Sequence, residues 1–286
     1  TEIYTLSLHD ALPIYAFKGT YGKVMLFGGS IGYLGSIALS ARAALRSGAG
    51  LVYLYSRKET QAFYSVNPAE IMFNPIAEDP TSKLPLIEHI VNAVESASSI
   101  VIGPGLGTDK YAKLILECIM KHSKVPTVID ADAITLISKS SALMKYLRKP
   151  NFVLTPHPGE FCRIARLEML DLQSDPIGEL KAFVQKHHAR VLLKGASSVY
   201  MDSDSTFICT AGNDGLSTGG SGDVLAGIIA SFAAQGMDID LAAINASYQM
   251  GSTAEKLARI RKTPSIIPSD IIENLFLEEH CINSPN

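Results

Sequence analysis

The chain has 286 residues, 47% of them hydrophobic and 19% charged, enough for one large α/β domain or two small ones with an ample core. A formal net charge of −3 supplies no basic field for nucleic acid. No stretch approaches the ~20 apolar residues of a membrane span, and the longest candidate, 224–234, is broken by Gly227 and Ser231, so neither nucleic acid nor a membrane is an expected partner.

Residues 1–14 lack the basic and apolar regions of a secretory signal and read as an extension foreign to the domain, with an extra edge strand or swapped arm as the alternative. Residues 24–27 then form a first buried strand. The turn Gly28-Gly29-Ser30-Ile31-Gly32-Tyr33-Leu34-Gly35-Ser36 leads into a helix that runs to Arg46 and stops at Ser47-Gly48-Ala49-Gly50. Residues 51–55 make the next strand and 86–94 a helix. A strand at 99–102 ends in Gly103-Pro104-Gly105-Leu106-Gly107, before a helix at 108–122. Strands at 127–129 and 152–154 end on Asp130-Ala131-Asp132 and on Thr155-Pro156-His157-Pro158-Gly159-Glu160. The strand at 191–193 runs into Lys194-Gly195, and 198–201 with 206–209 form an antiparallel hairpin. Helices at 220–235 and 238–261, and a shorter one after Pro268, close the chain. Short strands alternating with helices predict a mostly parallel central β-sheet flanked by helices on both faces.

The special residues fall just after strands. In open α/β sheets ligands bind in the crevice beyond the carboxyl ends of the strands. Gly103 to Gly107, Asp130, His157, Glu160, Lys194 and Asp223 are therefore expected at one rim.

The most informative string is Asn213-Asp214-Gly215-Leu216-Ser217-Thr218-Gly219-Gly220-Ser221-Gly222-Asp223, which opens an apolar helix. Glycines let backbone N–H groups turn inward together, and the helix dipole adds partial positive charge there, so the turn suits an anion such as phosphate. A single Gly-Asp before a helix is usually only a turn with a dipole-stabilising acid. The whole string, with four glycines, Thr218 and Ser221 ahead of Asp223, reverses that reading. An acceptor of protons beside a cup for negative charge points to phosphoryl transfer to a hydroxyl.

Other chemistries find little support. No GxxxxGK[ST] occurs, and the glycines at 28, 29, 32 and 35 miss GxGxxG in every register. Cys118, Cys162, Cys209 and Cys281 lack CxxC spacing and read as thiols in a reducing cytosol. The histidines do not cluster at metal spacing, and His187-His188 would point two rings apart from one helix.

Taken together, these motifs resemble the ADP/ATP-dependent NAD(P)H-hydrate dehydratase family, of the C-terminal YjeF type, within the ribokinase-like superfamily. The likeness rests on Lys18-Gly19-Thr20-Tyr21-Gly22-Lys23-Val24, on 43–50, Gly103 to Gly107, 130–133, 154–160, Leu193-Lys194-Gly195 and the 213–223 string. It implies one ribokinase-like domain over 18–278, with 279–286 a tail. The implied reaction repairs hydrated NADH or NADPH: ADP or ATP phosphorylates the added hydroxyl, and phosphate then leaves.

By the same resemblance Asp223 is the general base, and the N–H groups of Gly220, Ser221, Gly222 and Asp223 hold the transferred phosphoryl. Lys194, Gly195, Ala196, Ser197 and Ser198 line the nucleotide, with Gly222 at its phosphate side. Gly35, Ser36, Gly105 and His157, beside Asp223, approach the hydrated dinucleotide. Glu160 would hold Mg²⁺ through water, since that ion dehydrates reluctantly. Asp130 and Asp132 either aid the magnesium or cap the next helix, and only Asp130 joins the candidate metal set. Ser36 for the usual Ala, Ser198 for Thr, Asp214 for Pro and Ser217 for Ala depart from the family pattern. The resemblance further implies a cytoplasmic homo-oligomer, often a tetramer, linked functionally to an NAD(P)H-hydrate epimerase. The competing readings are a ribokinase-like kinase of a vitamin precursor or polyol, and a non-enzymatic nucleotide sensor.

Overall fold

The computed structural model describes residues 19–64, 69–77 and 83–275. The expectations for 1–14, 279–286 and Cys281, and the part of the resemblance resting on Lys18, lie outside these residues. Among the described residues nine strands form one sheet: β1 (Lys23–Phe27), β2 (Leu51–Arg57), β3 (Ile71–Ile76), β4 (Ser99–Ile102), β5 (Thr127–Ile129), β6 (Phe152–Leu154), β7 (Val191–Leu193), β8 (Ser198–Met201) and β9 (Thr206–Cys209). Their order is β3-β2-β1-β4-β5-β6-β7-β8-β9. Strands β1 to β7 pair in parallel, whereas β8 and β9 add an antiparallel hairpin at one end.

The helices are α1 (Leu34–Arg46), α2 (Gln61–Tyr64), α3 (Leu84–Ser96), α4 (Lys110–His122), α5 (Ala131–Ser138), α6 (Ser141–Met144) and α7 (Pro158–Ala165). They continue with α8 (Met169–Ser174), α9 (Pro176–His187), α10 (Ser221–Ala234), α11 (Ile239–Ala258) and α12 (Pro268–Glu273). Alternation along each strand divides the core. Met25 and Phe27 of β1 face the side covered by α3 to α9, while Val24 and Leu26 face α1, α2 and α10 to α12. Parallel strands buried on both faces read as continuous apolar runs, which is why these strands are visible in the sequence.

Several features differ from the sequence reading. Strand β3 is absent from it because Asn74 and Pro75 interrupt the apolar run. The strand nevertheless forms because it lies at the sheet edge, where a missing N–H is tolerated. The helices expected at 220–235 and 238–261 are shorter, with Gly220 and Gln235 as caps of α10 and Asp238 and Arg259 as caps of α11. His188 lies beyond α9 in a left-handed conformation, φ 50°, so only His187 is on the helix. Among the described residues no helix is long and apolar enough to cross a membrane.

Chain order reverses direction across the sheet between β1 and β4. The loops after these neighbours meet there: Gly29 N donates to the Pro104 carbonyl at 3.1 Å, and Ser30 N to that of Gly105 at 2.5 Å. This is the topological switch point where a ligand crevice is expected. Helix α10 fixes the other wall. All but two of its residues are buried. Ser99 Oγ donates to its Ala230 carbonyl at 2.6 Å, and Ser40 Oγ of α1 to its Asp223 carbonyl at 2.7 Å.

Gly227 permits the contact between α1 and α10, because a Cβ there would lie 2.1 Å from the Ser40 carbonyl oxygen. Overpacking of this kind costs roughly 1–3 kcal/mol. At about 2–4 °C per kcal/mol for a chain of this size, Gly227→Ala should lower Tm by about 2–12 °C. An unchanged melting curve would mean that the two helices are not pressed together at this point.

Candidate active site

Three adjacent parallel strands deliver the first group of side chains. Asp130 follows β5, the segment Thr155-Pro156-His157 follows β6, and Lys194 follows β7. Backbone bonds keep these ends in step: Asp130 N donates to the Ile102 carbonyl at 3.0 Å, Thr155 N to that of Ile129 at 3.1 Å, and Lys194 N to that of Pro156 at 2.8 Å. Across the switch point, the glycine turn after β4 lies against the start of α1. A Cβ on Gly105 would stand 3.4 Å from the Ser36 Cβ.

Helix α10 enters this rim with its N-terminus. Gly220 is the N-cap, at φ 99°, and no side chain caps the helix there. Ser221 N finds the Thr218 carbonyl at 3.2 Å. The first-turn amides of Gly222 and Asp223 have no helical acceptor, so positive polarity concentrates at this end. Lys194 adds to it. A Cβ on Gly222 would stand 3.0 Å from the Lys194 Nζ and 3.8 Å from the Asp130 Oδ2.

Charge is dense and poorly solvated here. Asp130 Oδ1 lies 2.7 Å from the Lys194 Nζ, with the two side chains only 2% and 19% exposed. The Asp223 carboxyl is pushed up to about 6, chiefly by burial and then by the negative charge of Asp130, with Glu160 adding to the rise. A hydrogen bond from Ser36 and the charge of Lys194 oppose that shift. Glu160 is also raised, by burial first and by Asp130 second. Three carboxylates share one ammonium, and a carboxyl titrating near neutrality in such a setting is suited to taking a proton at physiological pH.

His157 begins α7. Its Nδ1 accepts from Gly159 N at 3.0 Å, while its own N–H donates to Glu160 Oε2 at 2.9 Å, completing a capping box. Its Nε2 lies 3.5 Å from Glu160 Oε1. The ring is therefore a helix cap as well as a candidate for contacting a ligand. Asp132 is committed elsewhere, accepting from Gly107 N at 2.8 Å. Asp130 occupies the N-cap position of α5 without capping it through its side chain, because its carboxylate faces Lys194.

Of the residues expected at the site, Ser36, Gly105, Asp130, His157, Glu160, Lys194, Gly222 and Asp223 are linked by these contacts and charges. Gly35 is exposed with open space at its Cα, and Gly195, Ala196 and Ser197 form an exposed loop. Ser198 belongs to β8 and lines a separate cavity of about 430 Å³ with Tyr200, Phe207, Asn245, Tyr248 and Glu255. That cavity was not foreseen. Its walls come from β8, β9 and one side of α11, and the sequence pattern of α11 shows a half-buried helix without saying what it faces.

The raised carboxyl of Asp223 has a consequence for stability. A carboxyl held above its ordinary value of 3.8 penalises the folded state once it ionises. The penalty is absent below about 3.8 and complete above about 6. Asp223→Asn should therefore raise Tm at pH 7.5, and the gain should vanish at pH 3.8 or below. Thermal scans across this range check it; a variant less stable than the parent at pH 7.5 would contradict the assigned charge environment.

The comparisons with known proteins identify the family and the fold. The family model described as NAD(P)H-hydrate dehydratase matches residues 24–276. The bifunctional NAD(P)H-hydrate repair enzyme Nnr of Moorella thermoacetica is 34% identical over 261 residues, covering 90% of this chain and 49% of its own. The chain thus spans about half the length of the curated relative it matches. Among solved structures, a ribokinase-like superfamily protein from Enterococcus faecalis superposes with a TM-score of 0.79 at 29% identity, covering 93% of this chain and 89% of that one. The ADP/ATP-dependent NAD(P)H-hydrate dehydratase of Bacillus subtilis, co-crystallised with ATP and Mg²⁺, shares the fold at a TM-score of 0.77 and 24% identity, over 93% and 91% of the two chains. With a glycine-opened helix, its first-turn acid and the matched model in agreement over nearly the whole domain, the chain belongs to the NAD(P)H-hydrate dehydratase family.

Proposed function

We propose that this chain dehydrates hydrated NADH or NADPH by a transient phosphorylation. A nucleotide, ADP or ATP, phosphorylates the hydroxyl added to the nicotinamide ring. Hydroxide is a poor leaving group and phosphate a good one, so the C–O bond breaks with phosphate carrying away its electron pair, and loss of the proton on the adjacent ring carbon to solvent re-forms the double bond of the reduced dinucleotide. The observation that carries this reading is Asp223, a carboxyl pushed up to about 6 in the first turn of an uncapped helix N-terminus. Such a group accepts the alcohol proton as the bond to phosphorus forms, in a loose transition state where deprotonation comes late. Membership of the family disfavours a kinase whose product keeps the phosphate.

The amides of Gly222 and Asp223 and the Lys194 ammonium would hold the charge spreading over the transferred phosphoryl. Removing one such donor typically costs about 10²- to 10³-fold in rate. The nucleotide would run from this end along Lys194 to Ser198, placing its base in the cavity between β8, β9 and α11. Gly105, Ser36 and His157 would face the dinucleotide on the opposite side of Asp223. The uncompensated negative charge of the rim fits a divalent cation arriving with the nucleotide, and Mg²⁺ commonly uses one or two carboxylates plus substrate phosphates. Glu160 would hold it through water. When bound, the ion would neutralise phosphate charge. A homo-oligomer, a cytoplasmic location and a functional link to an epimerase complete the reading.

Incubating the protein with hydrated NADH and each nucleotide should restore the absorbance of the reduced nicotinamide. Asp223→Asn should lower turnover by at least ~10³-fold while nucleotide still binds. For the parent protein, kcat/KM should fall as pH drops below about 6 and level off above it, since the carboxylate is the active form. Restoration that persists in Asp223→Asn would remove this residue from the role of base.

A further inference from the structure

We propose that Asp130 is a positioning residue, which holds the Lys194 ammonium at the N-terminus of α10 and so completes the receptor for the nucleotide phosphate. The inference rests on the reading that this phosphate docks at that helix end. An ammonium beside a helix N-terminus is repelled by the partial positive charge there. On its flexible stem a lysine would ordinarily swing to water, where its charge is best solvated. Here the Nζ stays 3.0 Å from where a Gly222 Cβ would lie, and its hydrogen bond is to Asp130 Oδ1 at 2.7 Å.

Asp130 is built for this hold. Its side chain is 2% exposed and makes no capping bond to α5. Its backbone is fixed by the bond from its N–H to the Ile102 carbonyl at 3.0 Å, and its carbonyl oxygen would lie 1.8 Å from a Cβ on Gly103. A buried carboxylate deprived of its counter-ion is costly, so each partner fixes the other. The alternative partners for the ammonium are Glu160 and Asp223, and pairing with Asp223 would tie up the carboxylate that must take the proton. By holding the lysine, Asp130 leaves Asp223 its proton-accepting role. Asp130 thus acts through Lys194, not as a ligand of magnesium.

The test is calorimetric titration of ADP, without Mg²⁺ and with it, into the full chain, Asp130→Asn, Lys194→Met and the double variant. Charge-assisted contacts of this type convert to losses of about 10- to 100-fold in affinity. Each single variant should lose that much, and the double variant should bind within about twofold of Lys194→Met, since the acid has nothing left to hold. In the restoration assay Asp130→Asn should raise the nucleotide KM and lower kcat with the Mg²⁺ requirement unchanged. Additive losses in the double variant overturn the proposal, as does full recovery of Asp130→Asn by excess Mg²⁺. If Asp130→Asn does not fold, unchanged ADP affinity in Lys194→Met overturns it alone. A parent protein that binds ADP with this coupling but restores no hydrated dinucleotide would refute the proposed reaction and leave this inference standing.

Discussion

Everything at this rim depends on burying α10 along nearly its whole length while leaving its N-terminus open. The helix is clasped by α1, through the Gly227 contact and the Ser40 bond, and tied to β4 through Ser99. A buried helix cannot turn its end toward bulk water at will. Its first-turn amides must be met by whatever enters the cleft, and an anion is the group that meets them best. Glycine thus serves packing at Gly227 and leaves the helix end without a side-chain cap at Gly220.

The same burial shapes the electrostatics. In a region of low polarisability three carboxylates cannot all remain ionised beside one ammonium without strain on their protonation. Asp130 and Lys194 settle into a close pair, and the cost appears on Asp223 and Glu160, whose carboxyls rise. A carboxyl held near 6 is the outcome of this burial and division of charge. Ser36 works in the opposite sense by donating to Asp223. The family resemblance places Ala at this position, so this hydroxyl is a departure that acts on the Asp223 carboxyl in this chain.

The sheet explains why distant segments converge. Parallel strands all point their carboxyl ends the same way, so the loops after β1, β4, β5, β6 and β7 share one edge. At the reversal between β1 and β4 the loops after these strands meet, and the Asp130–Lys194 pair follows along the same edge after β5 and β7. The antiparallel hairpin β8–β9 then extends the sheet past Lys194 and, with α11, walls the second cavity.

The amino-acid sequence by itself determined the alternation of strands and helices, the glycine-rich entry to α10, the acid in its first turn and the family. These are local: apolar runs, turn residues and a motif read within a few positions. The strand holding Asn74 and Pro75 escaped because only its place at the sheet edge makes a proline harmless there. Which carboxylate receives the ammonium was equally hidden, since Asp130 and Lys194 are 64 residues apart. The tertiary structure alone decided that pairing, the bond from Ser36 to Asp223, the double duty of His157 as a helix cap, and the cavity against α11. Each depends on desolvation and on neighbours brought together across strands, which no one-dimensional pattern records.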